Sequence, residues 1–467
     1  MSQSGLATAS TPARTKGHLL RILGVGFGIA VIVGDTIGSG ILRTPGEVAA
    51  GLGNSASIIA VWVIGGIYAF LCTLSVTELG TMLPQAGGWY VYSRRAFGEY
   101  GGFLVGSSDW VVQTGSMAYL AVAFGEFAAE LQPALRGHLK LIGVAVLVCL
   151  TLLNWLGLRA GSRTQQLTSF AKSFALIAFV VACFTFFHGG GRGSVPAPAS
   201  VLGTNHNLLF AIIIALQAVI VTYDGWYYAI YFTEEDENPA KNLPRSSIGG
   251  VLVCIAIFLL VNIALLNVLP MGKLAGSQIP VADTALAIFG IRGRQIILLV
   301  SLVTAISALN ATLLTSPRIL FAMSRDGVAP RWIASVNKGG TPSAALFLGT
   351  IIPVVLVLSG SFETLIAITS FLFVAVYLSG FAALFVLRVR EPDLPRPFKM
   401  WGYPWTNLAV LLASAAFLVG SVVADLKDAV FTLVMIALSY PIYFLTVVRT
   451  GRSVPQVAPE IELTVNE

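Results

Sequence analysis

The stretch GVGFGIAVIVGDTIGSGILRTPGEVAAGLG, residues 24–53, decides the fold of this chain. It is apolar and long enough to cross a bilayer as a helix, yet its centre is the triplet Gly38-Ser39-Gly40. A glycine in a helix interior costs about 1 kcal/mol relative to alanine. We therefore predict that this helix is interrupted near residues 38–40, in the middle of the membrane.

A second segment, AVIVTYDGWYYAIYFTEE (218–235), has Gly225 near its middle and Asp224 beside it. Unwound backbone is tolerated in a membrane only where it lines a cavity or binds something. Two interrupted segments in corresponding positions indicate an inverted-repeat transporter whose site lies between the breaks. The half-helix ends would offer N–H groups to a carboxylate and carbonyl oxygens to an ammonium group, which suits an α-amino acid. The alternative is that the glycines only allow helices to pack closely.

The composition excludes a soluble protein. Of the 467 residues, 56% are hydrophobic and 11% are charged, whereas soluble proteins have about 25% charged residues. A soluble enzyme, a nucleic-acid-binding domain and a disordered scaffold are therefore excluded. The cysteines lie in apolar runs, the histidines are scattered, and no catalytic motif is present. We expect no metal, no cofactor and no enzymatic activity.

The apolar pattern predicts an all-α polytopic membrane protein with twelve transmembrane helices. We interpret residues 1–467 as a single transmembrane domain with short tails, in which repeat one covers about 19–187, repeat two covers about 207–387, and two extra helices cover about 404–448. Residues 281–290 are too short to span and predict a small helix over the outer face. The predicted segments are 19–50, 57–83, 101–131, 139–157, 164–187, 207–233, 248–269, 291–323, 344–358, 362–387, 404–423 and 429–448.

The positive charges set the predicted orientation. With the N-terminus inside, 19 of the 28 Lys and Arg residues fall on the cytoplasmic side and 7 on the outer side, while Arg43 and Lys172 fall within segments. Because cytoplasmic loops carry an excess of Lys and Arg, we predict a cell (plasma or inner) membrane protein with both termini in the cytoplasm.

Several motifs give this chain a family resemblance. Over roughly residues 20–450 it resembles the amino acid–polyamine–organocation (APC) transporter superfamily, in its amino acid permease branch. The order and spacing of the motifs are more specific than any one of them, and the resemblance implies a five-plus-five inverted repeat of the leucine-transporter type. The motifs are GSGIL and TPG (38–46), TELG (77–80), PQAGGWYVYSRRAFG (84–98), YDGWYY (223–228), TEEDENPAKNLPRS (233–246), SPRILFAMSRDGVAP (316–330) and TPSAA (341–345).

The resemblance also implies roles for residues at the two breaks. The backbone N–H groups of Ser39, Gly40 and Ile41, with the Ser39 hydroxyl, are expected to hold the substrate carboxylate. The substrate ammonium is expected to meet carbonyl oxygens from Thr36, Ile37, Thr222, Tyr223 and Gly225. Tyr223 and Trp226 are expected to act as gating or side-chain-sensing aromatics, the alternative for Trp226 being ordinary packing.

Three features depart from the common family pattern. Asp35 and Arg43 flank the first break, where many relatives carry neutral residues. The loop 132–138 lacks a cysteine, so it lacks the attachment point by which eukaryotic relatives bind an accessory chain. We expect no covalent accessory subunit.

Charged residues inside a membrane suggest function by default. Lys172 resembles a lysine that stands in the sodium position of sodium-coupled relatives and bridges the first and eighth helices; the alternative is a lysine that snorkels to the surface. Asp224 could pair with Lys172, face a substrate side chain or bond to unwound backbone, and Asp35 is a second coupling candidate. The two acids favour a cationic or small polar amino acid. Glu78, Arg318, Arg325 and Asp326 are expected to close the inner face, whereas Asp109 and Glu126 are expected to make structural hydrogen bonds.

The sequence thus predicts a secondary active transporter that moves amino acids by alternating access, in contact with the lipid bilayer. A fixed cation at Lys172 favours exchange or proton symport, in which protons are the coupled partner, over sodium symport. The alternatives are a polyamine or amine carrier and a nutrient sensor that binds without flux.

Overall fold

The computed structural model describes residues 19–186, 208–360, 362–424 and 426–448, and these residues are almost entirely helical. The predicted cytoplasmic tails and the connection 187–207 lie outside the described residues. The helices are α1 Val25–Thr36, α2 Gly40–Leu52, α3 Ser55–Met82, α4 Trp89–Leu131, α5 Leu139–Trp155, α6 Leu158–Phe186, α7 Leu208–Thr222, α8 Pro239–Val268, α9 Met271–Ala275, α10 Pro280–Arg325, α11 Ser343–Ser359, α12 Phe362–Arg390, α13 Trp405–Ala424 and α14 Leu426–Tyr443.

Both predicted interruptions are present. Helices α1 and α2 are bent by 43° across residues 37–39, and the helix resumes at Gly40. Helix α7 ends at Thr222 and is followed, after a turn that contains Gly225, by the 3₁₀ helix Tyr228–Phe232. The glycine positions thus identified both interruptions from the sequence.

The membrane assignment is confirmed at a coarse level. The twelve predicted apolar segments all overlap helices of the described chain, and the first and the sixth each overlap two that are separated by a break. Six described helices are long and apolar enough to cross a membrane, or seven if α1 and α2 form one span, while four others are apolar but shorter. The chain is therefore a helical polytopic membrane protein.

Helices α4 and α10 each begin with a short helical segment that turns sharply into a long one. The turns occur at Gly98 and Gly290, which have φ values of 82° and 66°. Such positive φ values favour glycine because it has no Cβ. The short segment before Gly290 is the small helix predicted at 281–290, although it continues directly into the long part of α10.

The location of the two interruptions is described relative to the two ends of the helix bundle. We call the end where α1 begins, at Val25, the α1 face, and the end where α2 finishes, at Leu52, the α2 face. The two interruptions lie between these faces, and α2 and the apolar helix α7 pack against each other on the α2-face side.

Candidate substrate site

A cavity of about 390 Å³ lies at the two breaks and extends toward the α2 face. Glu47, on α2, is exposed at the end nearest that face. No Lys, Arg or His is among the described residues that line it. The walls consist of Asp35, Thr36, Gly38, Ser39, Gly40, Thr44, Glu47, Val112, Gly115, Ser116, Tyr119, Leu120, Ala218, Val221, Thr222, Asp224, Tyr228, Ala308 and Phe373.

The two breaks touch each other through glycines. Gly225 has a φ of 107°, and a Cβ added there would lie 2.6 Å from the Thr36 backbone nitrogen and 2.6 Å from an Asp35 carboxylate oxygen. A Cβ on Gly40 would lie 2.9 Å from the Thr222 side chain. Close packing, the alternative explanation for the glycines, therefore occurs together with unwinding, and it brings the polar backbone of both breaks to one place.

The start of α2 presents hydrogen-bond donors to the cavity. The first N–H groups of a helix have no intrahelical acceptor, and Gly40 and Ile41 open α2. The Ser39 hydroxyl lies 3.1 Å from the Tyr119 hydroxyl of α4. The Thr36 hydroxyl is buried and has no nitrogen or oxygen partner among the described residues. Because a helix N-terminus also carries partial positive charge, this corner of the cavity suits a carboxylate.

Lys172 of α6 holds the end of α1. Its ammonium is completely buried and donates to the carbonyl oxygens of Gly34 and Ile37, both at 2.6 Å. The snorkelling alternative is therefore wrong. The expected bridge from Lys172 to the eighth predicted helix is not present, since both hydrogen bonds of the ammonium go to the first predicted helix. The contact between α6 and α10 is made one turn earlier, where the Ser169 hydroxyl lies 3.3 Å from the Ser307 hydroxyl.

The two acids at the breaks have different partners. Asp224 accepts a hydrogen bond from the Tyr377 hydroxyl of α12, so the suggested pairing of Asp224 with Lys172 is not the one in the structure. Asp35 is near enough to feel the charge of the Lys172 ammonium, but the hydrogen bonds of that ammonium go to backbone carbonyls and not to the carboxylate. Both acids line the cavity.

The cavity brings together only some of the predicted binding residues. Thr36, Ser39, Gly40, Thr222 and Asp224 line it, as does Asp35. The others do not line it: the Ile37 carbonyl is engaged by Lys172, Ile41 is fully buried, and the Tyr223 hydroxyl donates to the Trp62 carbonyl of α3. Gly225 packs behind Asp35 and Thr36. Trp226, the last of this group, lies within an aromatic cluster.

That cluster separates the cavity from the α1 face. The Trp226 ring lies 5.2 Å from Tyr377 and 6.1 Å from Trp89, measured between centroids. Tyr227 and Phe381 complete this aromatic floor, and all five side chains are buried. The contacts of Trp226 are therefore those of ordinary aromatic packing. Its position between the cavity and the α1 face is also compatible with the predicted gating role.

Ion pairs close the α1 face below the aromatic floor. Arg318 donates to both oxygens of Glu235 at 2.6 and 2.9 Å, and both side chains are almost completely buried. Burial raises the pKa of the Glu235 carboxyl, and the Arg318 guanidinium opposes that rise. Arg94 pairs with Asp326 at 2.6 Å.

Two more charged contacts complete the closure. Arg325 contacts Glu234 at 2.7 Å, and Glu78 accepts from Arg388 at 2.8 and 2.6 Å and from the Met400 backbone nitrogen. Each residue predicted to close this face thus takes part in an ion pair there. The structural hydrogen bonds expected of Asp109 and Glu126 are also present, to Tyr231 and Arg43 respectively.

Sequence reasoning missed the wall that α4 contributes. Val112, Ser116, Tyr119 and Leu120 recur at helical spacing on one face of α4. This periodicity was visible in the sequence, but it does not distinguish a cavity wall from a packed helix face. Phe373 of α12 had no distinguishing signal.

Comparisons with known proteins agree with this architecture. The family model described as amino acid permease matches residues 28–444. The chain is 27% identical to the serine/threonine exchanger SteT of Bacillus subtilis, over 91% of this chain and 97% of SteT. It is 30% identical to the mouse b(0,+)-type amino acid transporter 1, over 84% of this chain and 81% of that protein. It is 27% identical to the human large neutral amino acids transporter small subunit 2, over 85% of this chain and 76% of that protein.

Proposed function

The chain belongs to the amino acid permease family, and on that premise we propose that it moves amino acids across the cell membrane by exchange. The names of the relatives describe amino acid transporters, and that of SteT describes an exchanger. The observation that carries the proposal is the cavity between the two breaks, where a helix N-terminus and two carboxylates meet.

The substrate carboxylate would bind at the start of α2, where Ser39 and Gly40 line the cavity and offer N–H groups and the hydroxyls of Ser39 and Thr36 lie nearby. The Ile41 N–H is a weaker candidate than the sequence suggested because Ile41 is fully buried. The ammonium would face Asp35 and the carbonyl oxygens at the end of α1. The Ile37 carbonyl is a weaker candidate than the sequence suggested because Lys172 already donates to it. Binding of this kind requires no covalent chemistry, which is in keeping with a transporter family rather than an enzyme.

Exchange is favoured over sodium symport because of Lys172. Its ammonium fills the position between α6 and α1 and uses two α1 carbonyls, which are the oxygen ligands that a sodium ion would need. Proton symport is the second candidate, since Asp35 and Asp224 are carboxylates within the site.

Alternating access would occur by rocking of α1–α3, the α7 segment and α8 against the other helices. The positive-charge bias assigns the α1 face to the cytoplasm, so the described conformation would be open toward the outside. We keep two further predictions from the sequence: both termini are cytoplasmic, and no accessory chain is bound covalently.

Recurring helix pairs support a five-plus-five repeat with twelve spans. Helix α4 packs on α10, α3 on α8 and α5 on α11, and in each pair the predicted segments are five apart. The contacts of α6 with α10 and of α1 with α8 recur as α12 with α4 and α7 with α3. The turns at Gly98 and Gly290 also match, because each follows a phenylalanine and precedes a glycine three residues later.

Flux measurements test the proposal. The full chain is reconstituted in proteoliposomes, and uptake of labelled amino acids is compared with and without internal unlabelled amino acid, at two pH values and with or without sodium. Exchange predicts uptake that requires internal substrate and is independent of sodium. Uptake driven by an inward proton gradient into empty vesicles would instead support symport.

A matched pair of glycine variants links flux to the site. Gly40→Leu inserts a side chain against Thr222 and into the cavity, and we expect it to abolish uptake. Gly51→Leu lies on the same helix, where a Cβ would meet nothing within 4 Å, and we expect it to keep activity. Amino acid binding without flux would contradict transport and favour a sensor. Cadaverine uptake that amino acids do not inhibit would favour an amine carrier.

A further inference from the structure

The turn between α5 and α6 and the connection between α10 and α11 form one corner of the α1 face. The Leu158 N–H donates to the Gly339 carbonyl at 2.9 Å, and the Asn337 side chain donates to the Trp155 carbonyl at 2.7 Å. The same connection packs against Leu20, just before α1. These contacts hold the start of α6 beside the α10–α11 connection.

This corner carries positive charge that no carboxylate of the described chain balances. Arg159 and Arg163 lie one turn apart at the start of α6, and Lys338 precedes the glycine that contacts that start. All three are exposed, and within the described ranges none of them takes part in an ion pair. The sequence has no Asp or Glu at positions 131–223 or 327–362. The corner therefore suits an anion.

The exposed face of α6 continues from these cations as an apolar strip. The strip consists of Leu167, Phe170 and Phe174, which recur at helical spacing and are 69%, 71% and 65% exposed. The two phenylalanine rings stack at 6.3 Å between centroids. From Arg163 to Phe174 the helix rises about 16 Å, which is close to half of the roughly 30 Å hydrocarbon core of a bilayer. The strip therefore matches one leaflet in length.

Exposed tryptophans place the corner at the membrane surface. Trp155 ends α5 and Trp332 lies in the α10–α11 connection, and both are exposed. Tryptophan is enriched where a membrane meets water, at the level of the lipid headgroups. Arg159 and Lys338 thus lie at headgroup depth, with the apolar strip directed into the bilayer.

We propose that Arg159, Arg163 and Lys338 bind the phosphate of an anionic phospholipid, one of whose acyl chains lies along the apolar strip. A soluble anion would make no use of the strip. A zwitterionic phospholipid carries its own cation, which the three basic side chains would repel. With the proposed orientation, the site belongs to the cytoplasmic leaflet. The inference is independent of the transported substrate.

The test measures lipid binding by the full chain in detergent. Native mass spectrometry compares retention of phosphatidylglycerol and phosphatidylcholine, with identical acyl chains, added at equal concentration. We expect phosphatidylglycerol to be retained preferentially and to raise the unfolding temperature more than phosphatidylcholine does. Glycerol phosphate, which has the charged group without the acyl chains, should not displace it.

A matched pair of double variants separates the site from net charge. Arg159→Gln with Arg163→Gln should weaken phosphatidylglycerol binding by at least about tenfold, because each Lys or Arg near an anionic lipid surface contributes about fivefold. The control is Lys241→Gln with Arg245→Gln, which removes two exposed cations at the same spacing from the start of α8, directly after the acidic stretch 234–237. We expect it to keep the binding.

Two further variants test the chemistry of each part. Arg159→Lys with Arg163→Lys keeps both charges and should keep the preference for phosphatidylglycerol. Phe170→Ala with Phe174→Ala shortens the apolar strip and should weaken retention of phosphatidylglycerol while the preference for it over phosphatidylcholine remains.

Four outcomes would overturn the inference. Equal retention of the two lipids would show that the cations do not select the headgroup. Equal losses in the two glutamine double variants would mean that only the net charge of the protein matters. Displacement by glycerol phosphate would indicate a site for a soluble anion, and unchanged retention after loss of both phenylalanines would remove the acyl chain from the strip. None of these measurements depends on flux, so the proposed function stands or falls separately.

Discussion

The two faces of the bundle carry ion pairs of different kinds. At the α1 face, the Arg318 and Glu235 side chains are 2% and 0% exposed and share two hydrogen bonds. At the α2 face, the Arg43 and Glu126 side chains are 32% and 39% exposed, and one contact joins them. The aromatic floor also lies between the cavity and the α1 face only.

This difference indicates where the resistance to opening lies. A buried pair costs much when one partner is lost, because the other charge remains without water or a counter-charge. An exposed pair contributes about 0–1 kcal/mol. Opening of the α1 face must therefore separate Arg318 from Glu235 while water enters, so that both charges are solvated together, whereas the α2 face can open or close at little electrostatic cost.

The largest predicted effect comes from breaking the buried pair. In Arg318→Leu, Glu235 would lose its counter-charge, and the cation–π contact of the guanidinium with Phe232, at 4.5 Å from the ring centroid, would be lost too. We expect the folded state to lose about 3–5 kcal/mol and exchange to fall below detection. Thermal unfolding in detergent and counterflow in proteoliposomes measure the two effects.

A double variant provides the control for this prediction. Arg318→Leu combined with Glu235→Leu removes both charges and should recover much of the stability, because no buried charge is left unpaired. The single variant should also recover partly as pH falls, since burial already raises the pKa of Glu235 and loss of Arg318 raises it further. Equal stability of the single and double variants at all pH values would contradict this account of the α1 face.

A smaller effect is expected at Lys172, which lies between the two faces. Lys172→Met keeps an unbranched chain but removes two charge-assisted hydrogen bonds to α1, each contributing about 1.5–3 kcal/mol. We expect α1 to lose its fixed position and exchange to fall by at least about tenfold. Lys140→Met is the control, because Lys140 is exposed and donates to the Leu358 carbonyl away from the cavity. Sodium-dependent uptake by Lys172→Met would show that the ammonium substitutes for a bound cation, while unchanged exchange would contradict a role for Lys172 in holding α1.

The sequence predicted the helical class and both breaks because these features depend on local properties. Apolar length indicates helices in a membrane, and glycine in a helix interior indicates an interruption. The closure of the α1 face was also predicted in outline, because charged residues concentrate in the motifs around Glu78, Arg318 and Asp326. Each of these signals can be read within a few residues along the chain.

The wall of the cavity was harder to predict because it depends on which helix faces converge. Phe373 and Tyr119 belong to helices far apart in sequence, and no local pattern distinguishes them from packed aromatics. Asp224 could have met Lys172, backbone or substrate, and only the arrangement of α6, α7 and α12 assigns its hydrogen bond to Tyr377. Tyr223 was expected at the site, but its hydroxyl contacts α3. Thr222 lines the cavity, and the next residue at the end of a helix points about 100° away from it.

The smallest predicted effect sharpens the comparison from the α2 face. Arg43→Gln and Glu126→Gln each break an exposed pair, so each should change stability by less than about 1 kcal/mol and should alter exchange only slightly. Because solvent-exposed pairs are screened by ions, the effect should shrink as salt is raised from 0.01 M to 0.15 M, where the Debye length is about 8 Å. Unfolding and counterflow at the two salt concentrations measure it. A loss as large as that of Arg318→Leu would mean that Arg43 acts on the substrate or on α2 directly, and the pairs at the two faces would then be of similar strength despite their different burial.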